Sequence, residues 1–218
     1  MEFRLVFEGS LRSGQSGGVV AEKHAIRKVF HKQLAQLWQI IPDLKMRSVE
    51  HSILSAPPAG RDPKTITMAA ALPRESLWKT LGDNFDISGY KFVPLVSRHL
   101  GLTCGLDILL LQRDKVTPIG QAGDIDNRLK TLFDALQIPQ NCNEVEGVKD
   151  ADEDPYFFCL TENDSLITDV RVTTDKLLEP FMPLPGRGAS HPENFVHLVI
   201  TVKVRPSVFS YDNLAFLT

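Results

Sequence analysis

Phe3, Leu5 and Phe7 alternate with Glu2, Arg4 and Glu8 at the head of the chain, the period of a strand with one buried face. Gly/Ser-rich "GSLRSGQSGG" follows and reads as a mobile loop carrying Arg12. It lacks the Gly-Lys-Ser/Thr ending of a phosphate-binding loop. Over 21–41 the period changes. Ile26, Phe30, Leu34, Leu37 and Ile41 recur at helical spacing and predict an amphipathic helix closed by Pro42. Arg27, Lys28, His31 and Lys32 fall mostly off that stripe.

Residues 42–94 have no sustained period and read as an insertion or subdomain, with "SAPPAGRDP" a loop and "PRESLWKTLGDNF" a short helix. "LTCGLDILLLQRD" is nearly continuous apolar sequence, as in a central strand covered on both faces. A second helix runs through "GDIDNRLKTLFDAL", with Ile125, Leu129, Leu132, Phe133 and Leu136 on its buried side. Residues 139–157 hold Glu144, Glu146, Asp150, Asp152, Glu153 and Asp154 against Lys149 and read as a solvated acidic loop. "SLITDVRVTT" and "ENFVHLVITVKVRP" are strands, the second with Val196, Leu198, Ile200, Val202 and Val204 on one face. The order is strand, helix, insertion, strand, helix, strand, strand. It predicts a single α+β domain over 1–218, in which two helices pack on a small mixed sheet in α/β-like layers.

Composition narrows this picture. Hydrophobic residues make up 43% of 218, enough for a real core. The net charge of −3 argues against a protein that coats itself in nucleic acid, without excluding a local basic face. Cys104, Cys142 and Cys159 are odd in number and have no zinc spacing, which predicts free thiols in a reducing, cytoplasmic setting. No apolar run approaches the ~20 residues of a membrane span, so no membrane partner is expected. His24, His31 and His191 have no metal-ligand partner at usual spacing, and no base is indicated beside Cys142.

The chemistry sits at the mouth of the second helix, where Asp124, Asp126, Asn127 and Lys130 are crowded into seven residues. Capping explains part of this: Asp124 at the helix start, Asp126 favoured by the positive end of the macrodipole, and Asp126–Lys130 as an ordinary surface pair. A metal site is the competing explanation. In "NDSLITDVRV", Asp164 shares strand parity with Val170 and Val172, which mark the helix-covered face. Asp164 therefore meets Asp124 and Asp126 if the second helix crosses there. Three clustered carboxylates would repel one another, and a hard divalent cation relieves this.

"GDIDNRLKTLFDAL" followed by "NDSLITDVRV" resembles the paired motifs of the RusA family of Holliday-junction resolvases. In that family Asp-x-Asp-Asn opens a helix, a Lys follows one turn later, and Asp-Asp begins the next strand. The resemblance covers Gly123 to Thr173. Asn163 replaces the first Asp of the pair, and Leu166 stands where a Gln is usual. It implies a Mg²⁺-dependent endodeoxyribonuclease, with Mn²⁺ a possible substitute, acting as a homodimer on branched DNA and leaving a 5′-phosphate and a 3′-hydroxyl. Asp124, Asp126 and Asp164 match its metal-binding catalytic positions, Lys130 its catalytic Lys, and Asn127 its Asn. Arg12, Arg27, Lys28, His31 and Lys32 are the expected DNA-facing groups, the alternative for the helical ones being a plain solvated helix side. Two other readings stay open: a same-fold nuclease acting on flaps, single strands or invading DNA, and a non-catalytic binding module.

Overall fold

A computed structural model describes residues 1–12, 19–41, 44, 52–53, 72–73, 77–112, 123–145, 154–178, 195–208 and 213. The tip of the first loop, Pro42, the "SAPPAGRDP" loop and His191 lie outside the described residues.

The elements are β1 (Glu2–Ser10), α1 (Val19–Ile40), β2 (Ser52–Ile53), β3 (Leu72–Pro73), α2 (Leu77–Asp83), β4 (Asp86–Ile87), β5 (Tyr90–Val96), β6 (Leu102–Gln112), α3 (Gly123–Leu136), β7 (Tyr156–Thr161), β8 (Ile167–Lys176) and β9 (Phe195–Pro206). The α+β class holds. Among the described residues there are two mixed sheets, the two-stranded ribbon β2-β3 and three helices; a single small sheet was expected, and the short helix read in "PRESLWKTLGDNF" is α2. The larger sheet runs β1-β9-β6-β8. Its β1–β9 and β6–β9 pairs are antiparallel and its β6–β8 pair is parallel. The expected inward face of β9 is buried at all five positions, and the even-numbered residues Leu102 to Leu110 of β6 lie buried beside it. The opposite face of β6 is only partly covered, so β6 is central without being closed on both sides.

The second sheet, β4-β5-β7, grows out of two stretches that carried no strand expectation. Pro94 sits inside β5 and argues against a strand. It is tolerated because β4 pairs only as far as Lys91, leaving that edge of β5 open at Pro94. β7 begins within the stretch read as acidic loop, yet Tyr156, Phe157 and Phe158 pair in parallel with Lys91, Phe92 and Val93. Gly101, at φ +58°, turns the chain from β5 into β6, a conformation that favours glycine.

α1 is wedged between the larger sheet, β7 and α3, and it needs two buried faces. Ile26, Phe30, Leu34 and Trp38 form the apolar one. His24, Arg27 and His31 form a polar one against β7 and α3. His31 stacks on Phe157 at 4.5 Å, and its Nδ1 accepts the Phe158 N–H at 2.9 Å. On the other flank, Gln33 accepts the Val6 N–H at 2.9 Å and donates to the Val6 carbonyl at 2.6 Å. Arg27 is 1% exposed and His31 is half-buried. Both are therefore corrected from DNA-facing groups to packing groups.

Candidate functional site

α3 begins at Gly123, so Asp124 lies inside its first turn and not before it. The Asp124 side chain lies outside the described residues. Asp126 and Lys130, one turn apart, are both exposed, and Asn127 beside them is half-buried. Neither Asp126 nor Lys130 has an ion pair or side-chain hydrogen bond among the described residues. The buried side of α3 holds Ile125, Leu132 and Leu136 as expected, with Leu129 and Phe133 half-buried. It also takes in Arg128, Thr131 and Ala135, which the apolar pattern did not include.

Asp164 is not on a strand. It opens a 3₁₀ turn, Asp164–Leu166, capped by Asn163, whose side chain accepts the Ser165 N–H. The parity linking Asp164 to Val170 fails for a second reason. The β6–β8 register slips between Cys104 and Gly105, so Thr168 is passed over. Val170 is 42% exposed and Val172 is only half-buried, so among the described residues no helix covers this end of β8 as expected.

The Asp164 N–H instead donates to Gln137 Oε1 at 2.9 Å. Asp126, Lys130 and Asp134 fall within one narrow arc of the helix surface, at 100° per residue, and Gln137 follows the helix end with its N–H still bonded to the Phe133 carbonyl. Asp164 therefore stands on the same flank of α3 as Asp126 and Lys130. It docks near the opposite end, since Asp126 and Gln137 are separated by about 16 Å of helix rise. Among the described residues, no three His, Cys, Asp or Glu side chains form a metal-binding group.

The end of α3 is a different environment. Arg27 donates to the Asp134 and Glu144 carbonyls, both at 2.7 Å, and its guanidinium is 3.8 Å from the Glu144 carboxylate. This buries a cation at the negative end of the α3 macrodipole. Burial pushes the Arg27 pKa below its ordinary value, while Glu144, Cys159 and Asp134 pull it back up. Lys23 Nζ lies 2.5 Å from Asp134 Oδ2, and Gln137 Nε2 donates to Asp134 Oδ1 at 3.3 Å. Glu144, read as part of a solvated loop, is drawn into this cluster. Residues 146–153 of that loop lie outside the described residues. Gln137, which ties the cluster to Asp164, was missed: a single amide after a helix gives no sequence signal.

Among the expected DNA-facing groups, Arg12, Lys28 and Lys32 are exposed. Arg12 is anchored, however. Its N–H donates to Glu22 Oε1 at 2.8 Å, and its carbonyl accepts from Thr131 Oγ1 at 3.2 Å. Leu11 before it is fully buried, so the start of the loop is tied down between α1 and α3. All three cysteines are unpaired. Burial pushes the Cys104 thiol up to about 12 and the Cys159 thiol up as well, so neither is a thiolate nucleophile at neutral pH. No helix among the described residues is long and apolar enough to cross a membrane. No family model, no curated protein and no solved structure matches the chain.

Proposed function

We propose that the chain is a Mg²⁺-dependent endonuclease that hydrolyses phosphodiesters in branched DNA. The observation that carries this reading is the pair Asp126 and Lys130: exposed, one turn apart and without partners among the described residues. A structural surface pair at this spacing gains its ~0.2–0.5 kcal/mol by closing, and this pair is open. N-capping does not account for Asp126 either, because it lies past the first positions of the helix. Asp124 and Asp164 are the further carboxylates the resemblance implies for a Mg²⁺ or Mn²⁺ site, and Asp164, docked about 16 Å of helix rise from Asp126, would have to approach it for them to share one ion.

A bound Mg²⁺ supplies Lewis acidity and an activated water. Lys130 offsets charge on the scissile phosphate as a compact ammonium. Arg12, Lys28 and Lys32, with Asn127 beside the site, hold the DNA by its backbone. A homodimer brings two such sites to a roughly two-fold-symmetric junction.

One observation favours a second reading, a non-catalytic DNA-binding module: the offset of Asp164 along α3. The test is a panel of labelled four-way junction, flap, single strand and linear duplex with Mg²⁺, Mn²⁺ or Ca²⁺. Junction cleavage with Mg²⁺ and Mn²⁺ is the expected result. Preferred cleavage of flap or single strand gives the same-fold nuclease with another substrate. Binding with no cleavage in any arm gives the module.

A further inference from the structure

The larger sheet has two unlike faces. α1 packs on one of them, where Phe30 meets Phe7. The other is left open: Val6 is 40% exposed, and Val199, Leu109 and Leu111 are only half-buried. Residues directly opposed in register point to the same side of a sheet, so the register lays this face out in rows. The middle row reads Val6–Val199–Leu109–Thr173 across β1, β9, β6 and β8. The row before it reads Arg4–Thr201–Asp107–Arg171, and the row after it Glu8–His197–Leu111–Asp175. A largely apolar band therefore lies between a row with a cation at each end and a row with an anion at each end.

That pattern is its own complement. Two copies can stack face to face, about 10 Å apart, about either of two two-fold axes. With the axis along the middle row, each strand lies over its own copy and runs the other way. Val6, Val199 and Leu109 then meet themselves. Glu8 of each copy lies over Arg4 of the other, and Asp175 of each lies over Arg171 of the other. Asp107 faces Leu111 and has Arg171 beside it in its own row. With the axis along the strands, β1 lies over β8. Arg4 then meets Arg171, Glu8 meets Asp175, and Glu2, one row further down, meets Asp169. All of these are like-charge contacts, which oppose association.

We propose that the open face of the larger sheet is a homodimer interface, in which a second copy stacks antiparallel about the row Val6–Val199–Leu109–Thr173. This gives the dimer of the nuclease reading a surface, but it rests on register and charge and not on cleavage. Four strands by five rows cover roughly 500 Å², less than the ~800 Å² per partner of a standard interface. The dimer is therefore in a concentration-dependent equilibrium with the monomer.

The experiment is sedimentation equilibrium of the full chain, in EDTA and without DNA. The parent should dimerise reversibly, and less as salt is raised. Arg171→Asp and Asp175→Arg, both at exposed positions, should each weaken the dimer about tenfold or more, because symmetry turns the attraction into a repulsion twice over. Mixed one to one, the two variants should pair with each other at close to the parent's affinity, since one chain then offers two carboxylates to the other's two guanidinium groups. In the strand-parallel stack the same reversals would strengthen the dimer, because residue 171 faces Arg4 there and residue 175 faces Glu8. Arg4→Glu and Glu8→Arg repeat the cross at the β1 edge, independently of how the β8 variants fold. A parent that stays monomeric, reversals that leave the dimer unchanged or tighter, or mixtures that fail to pair would overturn the proposal. A rescued dimer that cleaves no junction sinks only the nuclease reading, and a cleaving monomer sinks only this one.

Discussion

The two ends of α3 carry the same kinds of side chain and treat them in opposite ways. At its end, Asp134 is bonded through both carboxylate oxygens and its carbonyl, to Lys23, Gln137 and Arg27. At its start, Asp126 and Lys130 stand within reach of each other and bond to nothing among the described residues. The charges at the end are explained by what they hold together: α1, α3 and the turn at Glu144. The macrodipole, worth ~0.3–1 kcal/mol, favours Asp126 near the helix start and does not act on Lys130 in mid-helix. A charge used for architecture is legible from its partners; Asp126 and Lys130 have none among the described residues, and that is what the endonuclease proposal takes up.

The sharpest way to break this contrast is Asp126→Asn. If the start of α3 is chemical, junction cleavage at saturating Mg²⁺ should be abolished, with DNA binding unchanged or tighter because one repulsive carboxylate is gone. Equal loss of binding and cleavage would point to misfolding, and retained cleavage would return Asp126 to a helix-dipole role. Lys130→Ala comes next. Single-turnover cleavage should slow by about 10²–10³-fold, the scale of one lost preorganised charge stabiliser, with melting within a few tenths of a kcal/mol of the parent. Lys130→Arg should recover only part of the rate, since a planar fork does not replace a compact ammonium.

Arg27→Met tests the other end and should reverse the pattern. Removing the guanidinium leaves the Asp134 and Glu144 carbonyls without their charged donor and should cost roughly 2–3 kcal/mol in denaturant unfolding. The cleavage rate per folded molecule should not change. A variant as stable as the parent with impaired DNA binding would restore Arg27 to the DNA surface.

Legibility in the sequence followed the same division. β1 and β9 were readable because each buries one face against its own chain neighbours, so period two survives intact. β5 and β7 were not: a proline interrupts one, an acidic run precedes the other, and their pairing is set by distant contacts. α1 was half-readable. Its apolar face obeys helical spacing, but no periodicity announces that Arg27 and His31 face a second layer. Asp126 and Lys130 were placed correctly on the open side of α3, because i and i+4 share a face whatever surrounds the helix. Asp164 was misplaced because "NDS" is turn chemistry, and the Asn163 cap overrode strand alternation.

The bonds from Gln33 to β1 and from His31 to β7 have a consequence beyond local packing. An unpaired strand edge is a template on which another chain can add itself, and mixed sheets such as these expose several. One helix here occupies two of them, in different sheets, by offering a side-chain amide and an imidazole where a foreign backbone would bind. The far side of β8 has no strand among the described residues, but Asp169, Arg171, Asp175 and Lys176 line it with charge. β4 is only two residues long, too short to seed a pairing. α1 therefore occupies part of each of these two edges with its own side chains. A change at Gln33 or His31 would register first in how concentrated the protein can be kept, before it registered in how tightly the monomer folds.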